Sequence, residues 1–223
     1  MRILALDAAL ARCSAAIVVD GEIVASRRAA ADAPGRGQSA ALPGMADAVL
    51  SEAGLVATDL DLIAVTVGPG SFTGIRAGLA LAHGIALAAG IPVVGVTVGE
   101  ALAEALPRLG ARRLWSVVDS RRGRVFLESD GNIVAFALDS LPNPGGPVAI
   151  AGDAAVAVAA GLAARGADVM LSDSRLPQIR HIALAAAKRW RGELPAREAL
   201  PVYVDPPEAK LPAGGLRPAP GQF

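Results

Sequence analysis

Apolar positions along the chain fall into short β-type runs separated by longer helical stripes. Ile3 to Asp7 is an apolar run ending in an acid, Cys13 to Val19 is apolar and β-rich, and Glu22 to Ala25 resumes a strand after the turn signal Asp20-Gly21. This predicts a three-strand meander. Residues 32–38 read as a loop. Ser39 then starts a helical pattern with Leu42, Met45, Val49, Leu50 and Ala53 on one face, stopped by Gly54. Pro43 falls in its first turns, where a missing N–H costs little. Leu62 to Val67 reads as a buried strand, Gly68–Gly74 as a loop, Thr73 to Ala89 as a helix, and 93–96 as a strand. A helix over roughly 98–106 ends at Pro107.

The second half opens in the same way. Leu114 to Asp119 is an apolar run ending in an acid, Arg124 to Glu128 a strand, Asp130-Gly131 a turn, and Ile133 to Phe136 a further strand. The string Asp20-Gly21-Glu22-Ile23-Val24-Ala25 returns as Asp130-Gly131-Asn132-Ile133-Val134-Ala135, and the strand-end acids Asp7 and Asp119 lie 112 residues apart. The shared order of elements around both strings points to a duplication and a two-lobed α/β chain. Val148 to Ala151, an Ala-rich helix at 154–165, a short strand near Val169 and a helix at 177–190 complete the second half. The expected units are 1–107, 108–204 and an extended proline-rich tail at 205–223.

The window from Ala77 to Gly99 carries no charged residue and is long enough to cross a bilayer. Pro92 forbids one continuous, unkinked helix through it, and Val93-Val94-Gly95-Val96 is β-branched. A helix followed by a core strand accounts for it better than a span. The early Asp7 argues against a signal peptide.

Composition narrows the chemistry. Cations and acids balance at 21 each, so no global field draws nucleic acid or membrane. One cysteine, Cys13, excludes an internal disulfide, and the two histidines, His83 and His181, are too far apart for a short paired motif. A peptidase reading finds neither a Ser/His/Asp arrangement nor a metal pair. Cys13 reads as a buried strand residue and His83 as a packed one. Six arginines between Arg108 and Arg124, with Asp119 as the one acid among them, form a candidate basic patch, to be weighed against solvated loop arginines.

Gly68-Pro69-Gly70-Ser71-Phe72-Thr73-Gly74-Ile75-Arg76 is the sharpest local feature. Strand, glycine loop and helix together can bring backbone N–H groups to an anion. The spacing fits neither the P-loop, which needs Lys where Ile75 stands, nor GxGxxG. A tight turn with Ser71 or Thr73 capping the helix is the better reading. In that helix Gly74, Gly78 and Ala82 form a stripe of small residues within an otherwise apolar surface. One side can pack on its own sheet, and the other needs a cover, either helix 39–53 or another protein. Asp7 and Asp119 sit where two lobes closing on a nucleotide would hold metal-bound phosphate, or where acids merely accept turn N–H bonds.

The nonapeptide Gly68–Arg76, with Ile3-Leu-Ala-Leu-Asp7, Pro92-Val-Val-Gly-Val96, Val118-Asp-Ser-Arg-Arg-Gly123 and Pro201-Val-Tyr-Val204, resembles the TsaB (YeaZ) family over most of residues 1–204. The resemblance implies an actin-like ATPase (ASKHA, ribonuclease H-like) fold of two duplicated lobes, the second reduced because 123–150 is short. It implies a cytoplasmic, non-catalytic subunit of the bacterial machinery that transfers threonylcarbamoyl to adenosine 37 of tRNAs reading ANN codons. Such a subunit pairs with the catalytic relative TsaD through helices that would here be 39–53 and 73–89, with Leu42, Met45, Val49, Gly74, Gly78, Leu81, Ala82 and Ile85 at the contact. TsaE completes the complex, tRNA is met through the complex, and TsaC supplies threonylcarbamoyl-adenylate. A homodimer through the same face is a further expectation. No tightly bound cofactor is implied, ATP being used by the partners, and Asp7 and Asp119 would mark at most a vestigial nucleotide site. Family members often carry His where this chain has Gln38. The alternative is a stand-alone ATP-dependent kinase of the same superfamily, working through Asp7, Asp119 and a bound metal.

Overall fold

The computed structural model describes residues 1–29 and 38–204, with the backbone alone for Gln38 and Ser39. Both 205–223, expected as a tail, and most of the expected loop at 32–38 lie outside the described residues. The first half runs β1 (Arg2–Asp7), β2 (Ser14–Val19), β3 (Glu22–Arg28), α1 (Leu42–Ala53), β4 (Leu62–Gly68), α2 (Phe72–Ala89), β5 (Val93–Thr97) and α3 (Val98–Glu104). The second runs β6 (Arg113–Asp119), β7 (Arg124–Ser129), β8 (Asn132–Ala137), β9 (Val148–Ala151), α4 (Ala155–Ala164), β10 (Val169–Leu171) and α5 (Ile179–Trp190).

The two sheets repeat one topology. Their orders are β3-β2-β1-β4-β5 and β8-β7-β6-β9-β10, each an antiparallel meander extended by parallel strands on the other side of the first. The hairpin turns match as well: Asp20-Gly21 takes φ of 50° and 88°, and Asp130-Gly131 takes 51° and 79°. Positive φ at both central positions is what a two-residue hairpin turn of this hand requires, and Asp-Gly supplies it at low cost. The reduction of the second lobe is local. Where α1 connects β3 to β4, only a 3-10 turn at Leu138–Ser140 lies between β8 and β9.

Period-two alternation in β1 and β2 feeds two cores. Leu4, Leu6, Ala15 and Ile17 face Leu42, Ala46 and Val49 of α1 and Ile75, Leu79 and Ala82 of α2. Ile3, Ala5, Ala16 and Val18 face the opposite way, against Ile182, Ala183, Ala185 and Ala186 of α5. α5 therefore belongs with the first sheet, which corrects the expected assignment of all of 108–204 to the second lobe. The physical reason is that a central sheet needs cover on both faces, and the alanine-rich side of α5 lies close enough to supply it. Arg189, 8% exposed, holds the helix in place. It donates to Glu100 Oε1 at 2.5 Å, to the Gly95 carbonyl at 2.6 Å and to the Pro195 carbonyl at 2.7 Å. Lys188 adds a pair with Glu104 at 2.7 Å. Helix α2 is long and apolar enough to cross a membrane, yet Ile75, Leu79 and Ala82 bury one of its faces as a core helix does.

The lobes meet at α3. Its Val98 and Leu102 carry the first core across to Val118 and Ala151 of the second sheet. Beside them the Thr97 hydroxyl caps α3 by accepting from Glu100 N at 3.0 Å and donates to Glu128 Oε1 of β7 at 2.6 Å. Gly99 N donates to Glu128 Oε2 at 3.1 Å, and a Cβ at residue 99 would lie 2.3 Å from that oxygen. Burial pushes the Glu128 carboxyl up to about 7, with the nearby Glu100 adding to the shift and the Thr97 and Gly99 hydrogen bonds opposing it.

The folded state therefore holds this proton more tightly than the unfolded chain. Stability contributed here is fully present below the unfolded value near 4.5 and is lost as pH rises towards 7. Glu128→Gln keeps the shape of the protonated acid. Denaturant titrations at pH 5 and pH 8 are expected to show the variant gaining on the wild type at the higher pH. Parallel pH dependence in the two proteins would remove the titration from Glu128.

Candidate functional site

The glycines of the Gly68–Arg76 loop answer to a close approach of two backbones. A Cβ on Gly70 would stand 2.1 Å from the Ala9 carbonyl oxygen, and one on Gly74 would stand 2.0 Å from that of Ala8. Ser71 N donates to Ala9 O at 2.6 Å, while the Ser71 hydroxyl caps α2 by accepting from Gly74 N at 3.1 Å. Two amides of the loop, those of Ser71 and Gly74, are thus engaged by the β1–β2 turn and the cap. Thr73, the other candidate cap, makes no such contact; Ser71 is the N-cap. Gly68 takes φ +114°, and its bond to Pro69 is cis.

The cover on one flank of α2 comes from an unexpected part of the chain. Val202 N donates to Val67 O at 2.9 Å, and His83 Nε2 donates to the Ala199 carbonyl at 2.9 Å. Arg76 lies with its guanidinium 3.7 Å from the centre of the Phe72 ring and donates to the Tyr203 hydroxyl at 2.8 Å and 3.1 Å. The string Pro201–Val204, one of the resembling motifs, folds back on the signature loop. The only sequence signal for this pairing is their joint presence among the resembling motifs.

The expected contact residues divide. Leu42, Val49, Gly74, Gly78 and Ala82 are buried within this chain, and a Cβ on Gly78 would meet Val65 and Leu42 at 3.6 Å and 3.8 Å. That corrects their assignment to a partner: the stripe Gly74-Gly78-Ala82 faces the protein's own sheet and α1. Met45, Leu81 and Ile85 stay half-exposed. Residues two apart on a helix stand about 200° from each other, so Ala80, Gly84 and Ala88 form a second small-residue stripe on nearly the opposite side. All three are exposed, and no atom lies within 4 Å of a Cβ built on Gly84. Sequence reasoning passed over this stripe because both stripes are small. With half-exposed Leu81 and Ile85 beside it, it makes a flat apolar face next to exposed Gly44 and half-exposed Met45 of α1.

The two strand-end acids are not brought to one pocket. Asp7, 3% exposed, accepts from Thr66 Oγ1 at 2.8 Å and Ala9 N at 3.0 Å, and burial pushes its carboxyl up to about 6 against those two bonds. Asp119 accepts from Arg121 N at 2.8 Å, while its own N–H donates to Asp153 at 2.8 Å; neither Asp119 nor Asp153 lines the cleft in which Asp7 stands. Among the described residues no group of three or more His, Cys, Asp and Glu is placed to hold a metal ion. Three of the six arginines between 108 and 124 pair with separate acids. Arg112 pairs with Asp168 at 2.7 Å, Arg113 with Asp130 at 3.4 Å, and Arg121 with Asp119 at 3.4 Å. Cys13 is buried as expected, and burial together with the Asp7 charge pushes its thiol up to about 11, far from a thiolate nucleophile at neutral pH.

Duplicated lobes of this topology, joined at α3, define a protein of the actin-like ATPase fold. A ROK family protein from Streptococcus pneumoniae, 10% identical, matches it with a TM-score of 0.50 over 87% of this chain and all of that one, a likeness of fold alone. YeaZ from Pseudomonas aeruginosa is nearer, with a TM-score of 0.69 and 27% identity over 91% of this chain and 99% of its own. The tRNA threonylcarbamoyladenosine biosynthesis protein TsaB of Escherichia coli K12 is 38% identical over 127 residues, 56% of this chain and 53% of that protein. The match thus spans about half the length of that curated relative, and likewise of the Haemophilus influenzae TsaB. The family described as TsaD, tRNA N6-adenosine threonylcarbamoyltransferase, matches residues 32–145. The chain belongs to that family and, within it, to the TsaB (YeaZ) kind.

The two small-residue stripes separate experimentally. Gly74→Ala forces a methyl onto the Ala8 carbonyl and is expected to lower the melting temperature sharply or prevent folding. Gly84→Ala, in open space mid-helix, is expected to leave stability unchanged or raise it by about 0.5–1 kcal/mol. Thermal melts of both variants check this, and equal effects would contradict the assigned faces.

Proposed function

We propose that this chain is a non-catalytic, cytoplasmic partner subunit in the synthesis of threonylcarbamoyladenosine at position 37 of tRNAs reading ANN codons, acting by pairing with a TsaD-type transferase. The observation that carries the reading is the exposed apolar face of α2, centred on Ala80, Gly84 and Ala88 with Leu81 and Ile85 beside it, which no element of the described chain covers. Small residues let another helix approach closely, and the apolar flanks supply the driving force. A specific interface buries roughly 800 Å² per partner with its apolar residues central. The same face can pair two copies of this chain, so homodimer and heterodimer would compete for it. TsaE would join the heterodimer, tRNA would be met through the complex, and the ATP consumed would be bound by the partners rather than tightly by this chain. The kinase alternative draws no support from Asp7 and Asp119, each of which is engaged locally.

Ala80→Arg and Gly84→Arg place a long cation on the face with no internal clash at residue 84. Each is expected to abolish co-purification with the TsaD-type protein of the same organism while keeping stability within about 0.5 kcal/mol of wild type. A heterodimer that forms undiminished with both variants would defeat the proposal.

A further inference from the structure

The outer row of α2 does not stop at its small residues. Phe72, Arg76, Ala80, Gly84 and Ala88 stand four apart, and all five are exposed. Such a row is the ridge that a neighbouring helix takes into its groove. Its first two members meet the strap at Ala199–Val204, which folds back on the helix. Phe72 and Tyr203 are 54% and 55% exposed with their ring centres 6.3 Å apart, in a chain that is only 3% aromatic. Aromatic side chains grouped with an arginine at the surface are what the tight-binding centres of interfaces are made of.

Arg76 is held in place without being neutralised. Its guanidinium carbon lies 3.7 Å from the Phe72 ring centre and 5.5 Å from that of Tyr203. Nε and Nη2 both donate to the Tyr203 hydroxyl, at 3.1 Å and 2.8 Å. Those contacts fix the plane of the fork and shield one side of it from water. Nη1 makes no hydrogen bond, and no acid pairs with Arg76, among the described residues. Arg76 is also the one lysine or arginine on α1, α2 and the strap, whereas α1 carries the acids Asp47 and Glu52. A preorganised cation at the end of an apolar ridge calls for one acid on whatever covers that ridge. Nucleic acid phosphate fits less well, because its binding gathers several cations and these neighbours are acidic.

We propose that Phe72, Arg76 and Tyr203 form the specificity-determining end of the α2 docking face, where Arg76 Nη1 binds a carboxylate on a helix of the TsaD-type partner. This depends on the pairing proposed above and adds to it the chemistry and direction of the partner helix. At 1.5 Å per residue, Arg76 and Ala88 stand about 18 Å apart along α2. The partner helix therefore carries an aspartate or glutamate at one end and small or apolar residues over about the next three turns. That polarity admits one orientation on the ridge, because the reverse sets the acid against Ala88 and leaves Arg76 without a counter-charge. Tyr203 and Phe72 act through Arg76, as positioning residues.

The test measures the affinity of the full chain for the TsaD-type protein of the same organism by calorimetry at low and high salt. Arg76→Gln is expected to weaken binding about tenfold or more at low salt and to flatten its salt dependence. Arg76→Lys, which keeps the charge without the fork, should restore only part of the loss. Tyr203→Phe should cost about threefold alone and nothing further when added to Arg76→Gln, as a residue acting through Arg76 requires. In a rescue arm, Arg76→Glu is paired with partner variants in which each acid of an exposed helix is changed singly to Arg. One of them should recover binding, which no misfolded Arg76→Glu chain would allow. Unchanged binding by Arg76→Gln while Ala80→Arg abolishes it overturns this inference and leaves the partner reading standing. Binding that survives Ala80→Arg as well brings down both. Failure of every partner variant to recover Arg76→Glu overturns the inference, as does loss of labelled tRNA binding by Arg76→Gln with affinity for the transferase intact.

Discussion

Much of this structure follows from one steric fact, the contact between the β4–α2 loop and the β1–β2 turn. Two glycines bring their backbone so near the Ala8 and Ala9 carbonyls that no side chain could stand between them. The contact fixes where α2 begins, and the Ser71 cap fixes its first turn. It also settles the chemistry of the motif. The amides of Ser71 and Gly74 are spent on the Ala9 carbonyl and the capping hydroxyl, so the loop serves as a packing joint. The helix that leaves this joint presents one small-residue stripe to the sheet and the other outward.

The duplication is kept in the sheets and in the helix between their last two strands, and broken at α1. Both sheets keep the same strand order and the same Asp-Gly hairpin, but the second lacks a counterpart of α1. Instead the chain returns α5 to the first sheet and ties it to α3 through Arg189 and Glu100. Removing one member of such a pair would strand the other in a low-dielectric place, which makes the pair a demanding positional constraint rather than a large net source of stability. With Glu128 reaching from β7 to the start of α3, the lobes are joined by hydrogen bonds as well as by Val98 and Leu102.

The strands and most helices were legible in the sequence because period-two and helical patterns are local, and because the repeated Asp-Gly string exposes the duplication directly. The small-residue stripe was legible as a feature but not in its direction. Gly78 and Gly84 look alike in sequence, and only the positions of Val65 and Leu42 separate the inward residue from the outward one. The destination of α5 was equally hidden, since an alanine-rich face packs on any sheet of the right shape. The arginines misled for a related reason. Arg112 and Arg113, neighbours in sequence, go to separate acids, whereas Arg12, Arg28 and Arg175, far apart in sequence, line one cleft. Charge clustering is a property of the surface, and strand register decides it.

That register also separates the two faces of the first sheet. In β1 and β2, residues with side chains towards α1 and α2 alternate with residues facing α5 and the cleft, and a single-residue slip would exchange them. The antiparallel pairing of Asp7 with Ser14, held by Thr66 and Ala9 at Asp7, prevents the slip. A partner seated on the outer face of α2 would therefore leave the arginine-lined cleft open on the far side of the sheet. One sheet, covered by helices on both faces, in this way carries two sets of residues that register keeps apart.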